Sequence, residues 1–476
     1  MWQAVLMICG YFISVLGAAM LLPAAVDIYY GGHIWSSFVN SSIIAVFIGV
    51  SLYLSNRGEI KDMSIRQAYL LTVLSWSSVA ILAALPFVFY GVKPIDAIVE
   101  GFSGITTTGI STFGDIEKLP KAILFWRAVL NGLGGVGIVI FATALLPFLG
   151  IGGMQLFQRE NSDVNEKFMP KISYMAKRII VVYLTLIVLC LLSLHYVGMG
   201  WFEAMCHAMS TISTSGASTR NNSIAAFDSA KIEWVMSLFM FLGACPLAFY
   251  YNLVATRRFG QLRSGQVGAF VKILVIYILV MWSYLHFSGI EEGGNALRKA
   301  VFDVVSLASS TGYAADNYWQ WGAFAATATV IFTLTGGCSG STSGSVKIFR
   351  WQVIIAQLKR AIITITEPNR MVPLKVGKIN VSTAIGNSVM VFFAAYFFSI
   401  VVLTIAVSLC GVEFSSALGM VLACITNVGS IISEAGVHGY AGYSDEIKAI
   451  LSFAMLMGRL EIMTVLVLFT KNFWVR

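Results

Sequence analysis

Four times along this chain a short Ser/Thr segment ending in glycine closes an apolar stretch, and another apolar stretch follows. The segments are Thr106-Thr107-Thr108-Gly109-Ile110, Ser213-Thr214-Ser215-Gly216-Ala217, Ser309-Ser310-Thr311-Gly312-Tyr313 and Thr426-Asn427-Val428-Gly429-Ser430. Their glycines lie 107, 96 and 117 residues apart, the length of a two-helix-plus-loop unit. Inside a bilayer, non-helical backbone survives only when it is buried in protein or lines a wet cavity. Four such segments can face one axis and offer carbonyl oxygens to a cation in place of its water. The alternative is four unrelated helix C-caps in which glycine supplies the left-handed turn. Caps alone do not explain why a short apolar element precedes every glycine.

Composition settles the class. Of 476 residues 58% are hydrophobic and 11% charged, with mean hydropathy +0.81. A soluble domain of this size has no use for so much apolar surface, so the chain reads as a polytopic membrane protein. The seven cysteines (Cys9, Cys190, Cys206, Cys245, Cys338, Cys410 and Cys424) are scattered without ligand spacing. They read as packing residues, not as disulfide partners or zinc ligands. No Lys or Arg precedes Arg57, so the first apolar run lacks the basic flank of a signal peptide and reads as a membrane helix.

Runs of about 20 apolar residues divide the chain into two leading helices near 2–24 and 35–55 (residues 1–60) and four units, 61–150, 151–260, 261–370 and 371–476. Each unit has an inbound helix, near 68–90, 179–199, 269–289 and 383–410. A segment too short to cross carries the Ser/Thr–Gly turn, near 94–108, 201–215, 297–311 and 413–428. A returning helix follows, near 122–148, 231–256, 321–362 and 446–471. The expected fold is all-α: two leading helices plus four helix–pore-loop–helix repeats around a central ion pore, with ten crossings. One side then carries 21 of the 31 basic residues and 6 of the 23 acidic ones, and the other 9 basic and 16 acidic. The basic side is cytoplasmic by the positive-inside rule and holds both termini; the acidic outer face concentrates cations at a mouth. The Lys/Arg-rich segments 157–178, 256–272 and 347–378, with Arg350, Lys359 and Arg360 among them, suit an acidic cytosolic partner. Split among short juxtamembrane loops, they do not suggest nucleic acid.

The candidate ion ligands are Thr107, Thr108 and Gly109; Thr214, Ser215 and Gly216; Ser310, Thr311 and Gly312; and Asn427, Val428 and Gly429. Glycine allows the alternating backbone handedness that turns successive carbonyls toward one axis. Neutral oxygen ligands suit a monovalent alkali cation, because a divalent one wants carboxylates at the same level. Asp96, Glu100, Glu203 and Asp303 lie 9 or 13 residues before their glycines, where helix capping and attraction of cations are equally good readings. The third returning helix is interrupted by Thr335–Ser345, whose Gly336, Gly337, Gly340 and Gly344 alternate with Ser339, Ser341 and other hydroxyl residues. Such a run should break the helix, and a broken membrane helix implies a pathway beside it. Arg459, in the middle of the last apolar run, is an intramembrane charge and so a functional candidate. A pair with Glu461 is the structural alternative, but residues two apart on a helix point to different faces. Gly132-Leu133-Gly134-Gly135-Val136-Gly137 imitates a dinucleotide fingerprint inside an apolar helix and reads as close helix packing. The scattered histidines read as mostly interfacial, and no nucleophile–base pair for catalysis is evident.

These motifs, with the Thr335–Ser345 interruption and Gly458-Arg459-Leu460-Glu461, resemble those of the Trk/Ktr/HKT superfamily of potassium and sodium transporters. The resemblance covers essentially the whole chain, and the leading helices and length are similar to its bacterial TrkH-type branch. It implies four pore-loop repeats around one potassium pore in the cytoplasmic (inner) membrane, a homodimer, and the third-repeat loop as a gate. It also implies a cytosolic TrkA-like regulatory subunit on the basic face, with any nucleotide bound there and no tightly bound cofactor here. The family's filter glycines map onto Gly109, Gly216, Gly312 and Gly429; sodium-preferring members tend to carry Ser at the first, so this chain falls on the potassium side. Asn427 and Val428 depart from the Ser/Thr pattern, leaving backbone carbonyls to serve in the fourth segment. Channel-like potassium uptake is one function; secondary transport coupling potassium to H⁺ or Na⁺ is the other. Coupled transport by alternating access would want broken helices in two repeats, and only one is evident.

Overall fold

In the computed structural model, residues 2–58, 63–144, 168–256, 265–316, 318–377, 379–429 and 439–475 are described. The basic residues Lys61, Arg159, Lys167, Arg257, Arg258 and Arg263, and Ser430 of the fourth segment, lie outside them. The leading helices pack where side chains are absent. Trp2–Ala19 runs on through Leu21–Tyr29, and Trp35–Ser55 returns beside it. A Cβ on Gly10 would stand 2.6 Å from the Gly49 carbonyl oxygen, so glycine is what lets these backbones approach. The Asp27 carboxylate accepts the Ile34 and Trp35 amides at 2.7 and 2.8 Å, fixing the turn between them.

Four units of like design follow. The inbound helices are Ile65–Ala83 (continued by Leu85–Phe89), Phe168–Tyr196, Gln266–Phe287 and Thr383–Leu409. Ser64 and Gln67 start the first with a reciprocal capping box, which satisfies two amides the helix leaves without partners. The short helices are Pro94–Ile105, Trp201–Ile212, Gly293–Ala308 and Phe414–Ile425. At 12 to 16 residues they cannot cross a bilayer. They converge on the main core, where Val99, Ile105, Ala204, Ile212, Val304, Ala308, Met420 and Ile425 are all buried.

The returning helices depart from expectation. Among the described residues seven helices are long and apolar enough to cross a membrane unbroken; three of the four returning spans come in two pieces. The second divides into Ala230–Gly243 and Leu247–Thr256, the third into Ala323–Thr335 and Ile348–Thr366, and the fourth into Asp445–Arg459 and Ile462–Leu466. Among the described residues only Lys121–Ala144 of the first unit is continuous. The third break was legible from its glycines; the other two correct the reading of a single broken repeat. Pro246, which has no amide to donate, accompanies the second break. The fourth bends by 115° at Glu461, which takes a left-handed conformation (φ 63°). The all-α expectation is otherwise met, apart from a two-stranded hairpin, Lys375–Val376 with Ile379–Asn380.

Candidate functional site

All four short helices end in one way. Thr107, Thr214, Ser310 and Asn427 take left-handed backbone conformations, φ 52–56°. In the first unit the Thr107 amide bonds the Gly104 carbonyl and the Thr108 amide the Ser103 carbonyl, at 3.1 and 2.9 Å. The same pair recurs as Thr214 to Thr211 and Ser215 to Ser210, Ser310 to Leu307 and Thr311 to Ser306, and Asn427 to Cys424 and Val428 to Ala423. These are Schellman caps, so the C-cap reading has the geometry right and the residue wrong. The capping position is not the glycine. Gly109, Gly216, Gly312 and Gly429 come two residues later, each with its own positive φ of 71–90°. A β-branched residue held left-handed, as at Thr107 and Thr214, is a steric outlier, costing about 1–3 kcal/mol and tolerated where surroundings over-determine it. The recurrence of the left-handed position in four places marks the segments as a built site.

The segments close into a ring. A Cβ on Gly109 would overlap the Ser215 carbonyl oxygen, one on Gly216 that of Thr311, and one on Gly312 that of Val428. The circle is completed by Gly429, whose Cβ would stand 2.9 Å from the Thr108 oxygen. Each glycine thus admits the carbonyl that precedes the next unit's glycine. All twelve expected ligand residues are brought together. In the fourth unit the Asn427 amide group donates to Thr108 Oγ1 at 2.8 Å and to the Met455 carbonyl at 3.1 Å. Asn427 therefore departs in side chain, not in backbone, and knits the fourth unit to the first.

Thr335–Ser345 lies against the inner ends of the ring. Thr342 Oγ1 donates to the Ile212 and Gly243 carbonyls at 2.8 and 3.0 Å, and the Gly344 amide to Ser310 Oγ at 2.7 Å. A Cβ on Gly344 would overlap the Thr426 oxygen. The Cys338 amide bonds the Ala244 carbonyl at 2.9 Å and the Leu247 amide the Gly340 carbonyl at 3.1 Å, so the loop also fills the break in the second unit. Arg459, 3% exposed, donates through Nη1 to the Thr342 carbonyl at 2.9 Å and through Nη2 to Gly134 at 3.5 Å. The polar company expected for it is the loop. Thr342 and Ser343, which bonds Ser310 Oγ, were not singled out by sequence although they lie at the centre of these contacts.

Glu461 does not pair with Arg459. It meets Lys347 Nζ at 3.3 Å and Arg350, whose guanidinium also lies 3.8 Å from the Phe392 ring centre. Lys347 and Arg350 are buried here, so they leave the exposed basic surface with which they were counted; Lys359 remains exposed. Three of the four carboxylates near the short helices are held in ion pairs; Asp303 is buried without one among the described residues. Asp96 meets Lys448 at 2.6 Å, Glu203 meets Arg220 at 2.5 Å, and Glu100 meets Arg127 at 3.0 Å. His207 is fully buried rather than interfacial, with Nε2 3.0 Å from Ser218 Oγ. The decoy glycines pack as expected: a Cβ on Gly134 would overlap the Ile105 oxygen, and one on Gly135 would stand 2.7 Å from Ser213 Cβ.

The family model described as "TrkH: Cation transport protein" matches residues 34–474. The chain is 35% identical to the Trk system potassium uptake protein TrkH of Halomonas elongata, with 99% of both chains covered. It is 33% identical to the protein of that name from Escherichia coli K12, again over 99% of each. Its fold superposes on the crystal structure of the potassium transporter TrkH from Vibrio parahaemolyticus with a TM-score of 0.93 at 29% identity, over the full length of both. The molecule is thus an all-helical polytopic membrane protein of a transport family, not an enzyme. Because the match runs through all four repeats, the chain belongs to the TrkH cation transport protein family.

Proposed function

We propose that this protein takes up potassium across the bacterial cytoplasmic membrane through a channel-like pore along the axis of the ring. The observation that carries the reading is the closed circle in which each glycine admits its neighbour's carbonyl. Oxygens so placed replace a cation's water without bringing a fixed charge, and the relatives' names specify potassium uptake. Thr335–Ser345, bonded to three of the four units with Arg459 on its Thr342 carbonyl, is the closed gate beneath. Potassium is cargo and no resident cofactor is needed. A homodimer and a cytosolic nucleotide-binding regulator on the basic face, with termini on that side, complete the assignment.

Coupled transport is the second reading, and the breaks in the second and fourth returning helices favour it, since transporters build sites from discontinuous helices. Reversal potentials in proteoliposomes separate the two. A channel follows the potassium gradient alone; coupling moves the reversal potential when a pH or sodium gradient is imposed. Absence of potassium flux under every gradient overturns both.

A further inference from the structure

In the first three units the residue nine before the ring glycine reaches the segment leaving the ring, and its chemistry differs from unit to unit. In the first unit this is Glu100, 2% exposed. Its Oε1 accepts from Ser111 Oγ at 2.7 Å, the Thr112 amide at 2.7 Å and Thr112 Oγ1 at 3.3 Å, while Oε2 takes Arg127 Nε at 3.0 Å. In the second, His207 reaches Ser218 Oγ at 3.0 Å. In the third, Asp303 lies against the Ala315 amide, and no other hydrogen bond to its oxygens is present among the described residues. In the fourth the position is Met420, whose thioether is a weak acceptor, and the segment after Gly429 lies outside the described residues. A second post, six residues before each glycine, sets the first and third units apart. Ser103 Oγ donates to the Ile110 carbonyl at 2.6 Å and Ser306 Oγ to the Tyr313 carbonyl at 2.7 Å, whereas Ser210 Oγ makes no such bond among the described residues and Ala423 holds that place in the fourth unit.

The backbone circle is fourfold; its support is not. Resting on the pore reading above, we propose that Glu100, held by Arg127, is a selectivity-positioning residue: it fixes the segment after Gly109 so that the Thr108 carbonyl keeps its place in the ring. Three hydrogen bonds accepted by a buried carboxylate fix the segment more firmly than one to an imidazole, because bonds to a charged acceptor are the stronger kind. Arg127, itself 6% exposed, compensates the buried charge, and its guanidinium lies 6.0 Å from the centre of the Phe113 ring. Discrimination between cations of one charge and different size depends on how far the oxygens yield. Removing the best-braced quarter should cost selectivity before it costs flux.

Glu100→Ala alone would strand the Arg127 charge and invite misfolding. The test is therefore the neutral pair Glu100→Gln/Arg127→Gln, in parallel with Ser111→Ala and with Met420→Ala at the equivalent fourth-unit position. Rubidium-86 uptake competed by potassium or sodium is measured in proteoliposomes and normalised to inserted protein. The neutral pair should lose about tenfold in potassium-over-sodium preference, the consequence of losing one charge-assisted bond's worth of positioning. Ser111→Ala should move the same way and Met420→Ala should not, with uptake itself retained in all three. Unchanged preference in the inserted pair and in Ser111→Ala, or an equal loss at Met420→Ala, overturns the proposal. Wild-type protein that takes up no rubidium overturns the pore reading instead.

Discussion

The ring and the returning helices beneath it were built from the same four repeats, yet they have diverged in opposite ways. The ring kept one backbone four times, down to the hydrogen-bond pair and two positive φ angles per unit. The returning helices kept almost nothing: one runs unbroken, one breaks beside Pro246, one opens into a loop, and one bends by 115°. A closed circle of oxygens tolerates no odd member, since each glycine must accept its neighbour's carbonyl. Below the ring the demand is reversed. A single loop reaching several units has to come from one of them, and the others must make room and supply partners. The divergence is therefore complementary: the third unit's loop fills the second unit's break, and the fourth unit's last helical residue before its bend, Arg459, holds the loop.

The largest effect expected from this contrast is in the ring. Gly312→Ala would drive a Cβ into the Val428 oxygen at a residue of φ 85°, whereas Gly429→Ala meets the Thr108 oxygen at 2.9 Å. Alanine at positive φ costs about 1–2 kcal/mol by itself, and the overlap at Gly312 adds to it. Gly312→Ala should abolish potassium uptake in protein that still inserts, and Gly429→Ala should retain a measurable fraction. Equal loss at the two positions would mean that the φ requirement, not the neighbouring carbonyl, sets the tolerance. Gly109→Ser, whose Cβ meets the Ser215 oxygen, should relax potassium-over-sodium discrimination in protein that still inserts.

An intermediate effect is expected below the ring, where two charges two residues apart have different tasks. Arg459→Ala removes the bond to the Thr342 carbonyl but leaves no charge stranded, so uptake without the regulator should rise several-fold with little change in thermal stability. Shortening the loop by deleting residues 337–341 should act in the same direction. Glu461→Gln leaves Lys347 and Arg350 buried without their anion, and breaking such a set costs about 3–5 kcal/mol. It should lower the unfolding temperature markedly and give no selective gain of flux. A stability loss at Arg459→Ala equal to that at Glu461→Gln would make the arginine a structural tie and remove its part in gating.

How much of this the chain reveals unfolded depends on whether a feature is local. Spans and short helices were legible because apolar run length encodes them, and Arg459 because a charge in an apolar run must find polar company. The third break was legible because its glycines are contiguous. The breaks at Ala244 and Glu461 were not: each is completed by groups far away in sequence, the Cys338 amide in one case and Lys347 with Arg350 in the other. The same distance effect misplaced Arg350 on the surface. The capping position was misread for another reason. Glycine is the usual left-handed cap, and here Thr107, Thr214, Ser310 and Asn427 hold that conformation so that glycine is free to admit a neighbour's carbonyl.

The smallest effect belongs to the outer collar, where the first and second units touch beyond the ring. Asn221 accepts the Ile116 amide at 2.7 Å and donates to Asp115 at 2.9 Å, and Lys118 meets Asp115 at 2.8 Å. The Lys118 ammonium, and after it the Asn221 amide group, hold the Asp115 carboxyl at about 2, below its ordinary 3.8. A depressed carboxyl contributes stability that is fully present above the unfolded value and is lost as pH falls through the folded one. The window is therefore from just above pH 4 down to about 2. Lys118 is raised by the same pair and stays charged throughout that window. Both groups face water, so the contribution is small and screened by salt. Asp115→Asn should lower the unfolding temperature slightly at pH 6 and low salt, and the difference from wild type should vanish near pH 2 or in high salt. Potassium-over-sodium preference should not move, because nothing in the collar reaches the ring glycines. A change of preference at pH 6 would mean that the outer loops help to hold the ring, and the fixed-ring, variable-support contrast would have to be redrawn to include them.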